Sequence, residues 1–130
     1  MSYYFSKTLQ GKTFEQAKEL VSEELKKEGF GILTEIDVQA TLKKKIDQDI
    51  KPYTILGACN PGFAHKAISA EEHIGVFLPC NVLVRETSDG SIEVAAVDPI
   101  ASMSAVQNES LGGIAQEVQE KLKNVIQNLT

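Results

Sequence analysis

Two apolar, β-favouring runs meet at Ser88-Asp89-Gly90-Ser91, and that junction restricts the chain more than any other stretch. Asp-Gly between alternating apolar segments is the strongest short-range signal for a hairpin with a two-residue turn. With Asp89 and Gly90 at its centre, residue 87 faces 92, 85 faces 94, 83 faces 96 and 81 faces 98. Leu83, Ile92, Val94 and Ala96, with Arg85 among them, then share one face. Val82, Val84, Ala95 and Val97 share the other. Both faces are apolar away from the turn, although a two-layer domain needs only one apolar sheet face. The second face therefore requires a cover: the segments 38–47 and 99–110, a partner subunit or a ligand. A symmetric homodimer is the commonest way to supply one.

Elements upstream and downstream fit around this hairpin. Residues 2–9 read as a strand. Thr13 and Gln16 form a capping box for a helix whose apolar face is Phe14, Ala17, Val21 and Leu25. Gly29 stands where a left-handed C-terminal cap is expected. Residues 30–36 predict a second strand, and Asp37 caps a short helix over 38–47. Residues 53–59 predict a third strand. Asn60-Pro61 is a cap followed by a proline at the first helical position, so 61–70 is read as helix. The fourth strand is read over 74–85, with Pro79 marking an edge or a bulge because it cannot donate to a ladder. Ile92 to Val97 is the fifth. Asp98-Pro99 repeats the cap-plus-proline device, and a last helix carries Leu111, Ile114, Ala115, Val118, Leu122, Val125, Ile126 and Leu129 on one wide apolar face. The predicted fold is a single α+β domain over 1–130. It is a two-layer sandwich with two main helices on one face of a mainly antiparallel sheet.

Composition narrows the function. A net charge of −5 disfavours nucleic acid, which calls for a basic stripe to neutralise phosphates. The one basic run, Lys43-Lys44-Lys45, fits a solvated helix face. No apolar run approaches the ~18 residues that a membrane helix needs, and MSYYFSKTLQ lacks the apolar stretch of a secretory signal. The expected location is cytoplasmic, where Cys59 and Cys80 would be free thiols.

The chemistry-bearing residues cluster around two Cys-Asn pairs, Cys59-Asn60 and Cys80-Asn81. Cys59 immediately precedes a helix cap. Unpaired amides at a helix start attract anions and can lower a nearby thiol's pKa. Cys80 follows Pro79, where a bulge would re-aim its side chain. Register places Asn81 opposite Asp98. The bland alternative is that both cysteines pack as small hydrophobes, and that Asn60 and Asp98 act only as caps. Glu35 and Asp37 share a face around Ile36. Glu35 could line a pocket, or simply be solvated. His65, one turn into the 61–70 helix, is the histidine best placed to join Cys59. With no Cys-x2-Cys pair and only His65 and His73 available, zinc spacing is missing, so no metal is expected. No phosphate-binding glycine loop or Ser-His-Asp pattern calls for a cofactor or a hydrolase mechanism.

Taken together, EGFGILTEIDVQATLKKKI, PYTILGACNPGFAHKAI, IGVFLPCNVLV and VAAVDPIASM resemble the domain-of-unknown-function 302 (TT1751-like) family. The resemblance runs from about Glu28 to Met103. It implies a β-α-β(4)-α fold similar to the TATA-binding-protein-like class, and dimers. It implies no established activity. Its characteristic positions fall here on Glu35, Asp37, Cys59, Asn60, Pro61, His65, Pro79, Cys80, Asn81, Asp98 and Pro99. The function expected from all this is a homodimeric binding module for a small anionic or thiol-reactive ligand near Cys59, Asn60 and Cys80. A thiol-dependent enzyme or redox protein is the alternative, and a structural or protein-interaction subunit a third reading.

Overall fold

A computed structural model describes residues 2–130. Five strands, β1 (Tyr4–Leu9), β2 (Gly31–Asp37), β3 (Tyr53–Cys59), β4 (Cys80–Glu86) and β5 (Ile92–Val97), form one antiparallel sheet in the order β1-β5-β4-β3-β2. Helices α1 (Phe14–Lys27) and α5 (Gly112–Gln127) lie across one face. The shorter α2 (Val38–Ile46), α3 (Pro61–Ala70) and α4 (Pro99–Ser102) sit in connections. This is the α+β two-layer arrangement expected from the element order.

The core is the seam between the two layers. Ala17, Val21 and Leu25 of α1 and Val118, Leu122, Val125 and Ile126 of α5 meet Leu56, Ala58, Val82, Val84, Val94 and Ala96 of the sheet. Removing this apolar area from water is the main force holding the layers together. The helix ends follow their sequence signals. The Thr13 hydroxyl accepts from the Gln16 amide while the Gln16 side chain accepts from the Thr13 amide. At the far end of α1, Gly29 takes φ 86°. Its N–H donates to the Lys26 carbonyl and that of Phe30 to the Leu25 carbonyl, satisfying carbonyls that would otherwise be orphaned. Lys7 of β1 reaches the end of α5, its Nζ donating to the carbonyls of Gln127 (2.9 Å) and Leu129 (2.6 Å).

The hairpin differs from its expected register by one residue. Thr87 and Ser91 face each other, with the Thr87 N–H donating to the Ser91 carbonyl at 2.8 Å, so the loop is Ser88-Asp89-Gly90. The Gly90 N–H donates to the Thr87 carbonyl, and Gly90 itself is left-handed at φ 86°. This is a type I turn closed by a glycine bulge. The Asp89 carboxylate supports it, accepting from the Thr87 hydroxyl (2.6 Å) and the Ser91 amide (3.0 Å). A slip of one residue moves every β5 side chain to the other face. Ile92, Val94 and Ala96 therefore join Val82 and Val84 in the core. Leu83, Arg85, Glu93, Ala95 and Val97 form the outer face, where Arg85 Nε donates to Glu93 Oε1 at 2.7 Å. The outer face is thus less apolar than the two-residue turn implied. Asn81 shares it and does not face Asp98.

Two further expectations are corrected. Residues 72–77 form a 3-10 segment and not the start of a strand. Pro79 is not a bulge: β4 begins one residue later, because a residue without an N–H is tolerated just before a central ladder but not within it. The sheet's bulge lies in β2, between Ile32 and Thr34, where Leu33 is extruded and exposed.

Candidate functional site

The ends of β3 and β4 bring the two cysteines together. Ala58 pairs with Cys80 across the sheet, and Cys59 is the next residue, the last of β3. Both cysteines line one cavity of about 40 Å³, and no disulfide joins them. Its walls are Phe30, Phe63 and Ala67 on one side and Leu78, Pro79 and Met103 on another, with Leu111, Ile114 and Val118 closing it. Asn60 is the one amide among these side chains. Apart from Asn60 and the sulfur-bearing side chains, its lining residues are hydrocarbon. The neighbouring backbone is close-packed as well. A Cβ on Gly57 would meet Pro79 Cγ at 2.8 Å and the Thr34 side chain, so only glycine lets these segments approach.

Burial sets the electrostatics. The Cys80 thiol is pushed up to about 11 from 9.0, first by desolvation and then by the neighbouring Cys59. Cys80 is therefore a protonated, weakly nucleophilic thiol at neutral pH. Cys59 is half-buried and retains contact with solvent. The helix start beside it is partly occupied: Asn60 Oδ1 accepts from the Phe63 amide at 3.4 Å, and Asn60 Nδ2 donates to the Glu28 carbonyl at 3.4 Å.

The remaining sequence candidates lie elsewhere. Asn81 is exposed on the outer sheet face, in a trough of about 420 Å³ with Tyr4, Tyr53, Ile55 and Leu83. Asp98 caps α4, its Oδ1 accepting from the Ile100 amide (3.0 Å), and also accepts from Gln119 Nε2 of α5 (3.1 Å). Glu35 pairs with Lys18 of α1 at 2.7 Å. His65 is exposed on α3 and does not line the cavity. Of the seven candidates, the fold brings Cys59, Asn60 and Cys80 to one place. It adds a residue the sequence did not single out, Met103, at the end of α4. Among the described residues no three of His, Cys, Asp and Glu converge to hold a metal. No described helix is long and apolar enough to cross a membrane.

The profile of the family described as "Domain of unknown function DUF302" matches residues 5–129. The chain belongs to the DUF302 family. The fold of this DUF302 protein is also that of a crystal structure of an uncharacterized conserved DUF302 protein from Bacillus stearothermophilus. The two share 24% identity, cover 100% of each other and superimpose with a TM-score of 0.92. No protein with a curated description matches this DUF302 chain.

Proposed function

We propose that this DUF302 protein is a cytoplasmic, homodimeric binding module that holds a small thiol-reactive ligand in the cavity between Cys59 and Cys80. The carrying observation is that two unbridged cysteines from adjacent strands line one small apolar cavity. Between an anionic and a thiol-reactive ligand, the lining supports the second. It contains no cation to balance an anion, and burying an unpaired charge among hydrocarbon is costly. An enzymatic reading would need a base beside the sulfur, and the cavity lining contains no histidine or carboxylate. The outer sheet face supports the dimer, since Tyr53, Ile55 and Leu83 lie there only half-buried beside the exposed Tyr4.

Modification of the native protein by methyl methanethiosulfonate, read by intact mass and peptide mapping, tests the cavity. Cys59 is expected to react in the folded state and Cys80 only slowly, with the product showing a shifted melting temperature. Full protection of Cys59 until the chain unfolds would remove the proposal.

A further inference from the structure

On its outer face the sheet is unevenly built. Ile55, Leu83, Ala95 and Ser6 follow one another across β3, β4, β5 and β1 in one row, and Tyr53, Arg85, Glu93 and Thr8 in the next. In both rows the larger side chains stand on β3 and β4 and the smaller ones on β5 and β1. Ala95, only 9% exposed, lies low in the trough of about 420 Å³, with Leu83 beside it. We infer that a second copy of this chain fills the trough, stacked face to face about a two-fold axis that runs along the strands between β4 and β5. The inference rests on the dimer reading above and names its contacts.

Register dictates which residues meet. A two-fold on that line keeps each residue at its own height along the strands and sets β4 over the partner's β5. Leu83 then lies over the partner's Ala95, and Ile55 over the partner's Ser6, so each large side chain enters a recess. Arg85 lies over the partner's Glu93 while keeping its own. Its Nε already donates to Glu93 Oε1 at 2.7 Å, and its two Nη nitrogens have no partner within the described chain. The crossed arrangement offers them the partner's carboxylate. Among the described residues lining the trough, Arg85 and Glu93 are the charged pair, so the face is neutral although the chain carries −5. Two copies therefore meet there without like-charge repulsion. Pairing through the sheet edges is disfavoured. Lys7 turns a charge towards the helices on the edge strand β1, and the bulge at Leu33 interrupts the edge strand β2. Both devices blunt an edge. Stacked sheets with nearly aligned strands pack about 10 Å apart, an arrangement this axis provides.

The test is sedimentation velocity of Arg85→Glu and Glu93→Arg, alone and mixed. Each variant alone brings charges of one sign together from both chains and should sediment as a monomer. An equimolar mixture should sediment as a dimer, because the acidic face of one chain then meets the basic face of the other. Ala95→Leu fills the recess and should also give monomers. Adding Leu83→Ala to it moves the large side chain to the neighbouring strand and should restore the dimer. Circular dichroism reports whether each variant folds. If the natural chain is a dimer but either charge variant alone, or Ala95→Leu, still sediments as one, this interface is overturned and the dimer reading survives on another face. A mixture that stays monomeric overturns the crossed pairing in the same way. If the natural chain is a monomer, the interface and the dimer reading fail together.

Discussion

Cys80 shows how one buried thiol ties stability to pH. Its folded pKa lies near 11 against 9.0 for an ordinary thiol, with burial the larger cause and Cys59 the smaller. Below pH 9 the thiol is protonated whether the chain is folded or not, and it does not affect the balance. Between about 9 and 11 the unfolded chain releases the proton while the folded chain keeps it, so stability falls as pH rises. The loss levels off near pH 11 at about 2–3 kcal/mol. Urea unfolding at pH 8 and pH 11 should show that decrease, and Cys80→Ala should remove it from the difference between the two. The environment of this residue was only partly legible in sequence. An apolar run ending in Cys-Asn marks a small buried residue equally well as a site. Which way Cys59 turns depends on where β3 stops, and no local pattern records that. Met103 was invisible for a similar reason: the loose stretch after Pro99 has no periodicity to aim a side chain.

At the level of elements, caps were the most readable features, because each is a local hydrogen-bond problem with few solutions. Thr13, Asp37, Asn60 and Asp98 all cap the helices expected of them. Asp98 does more than its local motif foretold. By accepting from Gln119 as well as from the α4 amides, it clamps the short helix that carries Met103 to the long helix α5. Asp98→Ala should therefore cost about 1–2 kcal/mol in chemical denaturation, whereas Asp98→Asn, an equally good cap, should stay close to the natural chain. The hairpin was harder to read. Asp-Gly suits a two-residue turn and also the longer loop with a left-handed glycine. What separates them is the pairing of Thr87 with Ser91, braced by the Asp89 carboxylate. That single residue decided which half of β5 enters the core. It also detached Asn81 from the Asp98 cap.

The molecule as a whole leaves one sheet face without helices α1 and α5, and the proposed dimer would use it. Leu83 sits mid-strand on β4, facing outward beside Tyr53 and Ile55 in the trough. Leu83→Glu should keep the far-ultraviolet circular dichroism of the folded chain and convert the dimer to a monomer in sedimentation velocity. A natural chain that sediments as a monomer at tens of micromolar would end the dimer proposal. The overall architecture was legible because strand and helix order, with one apolar helix near each end, admits few two-layer solutions. What meets the outer face was not, since strand and helix order carries no record of it. A different consequence follows from Lys7, whose ammonium group grips the carbonyls of Gln127 and Leu129. The first strand and the tail of the last helix are neighbours, and this ammonium is one of the ties between them. A bridge running past that tie could splice the two ends, and new termini could be opened at the exposed tip around Asp89, leaving every strand with the companions it already has.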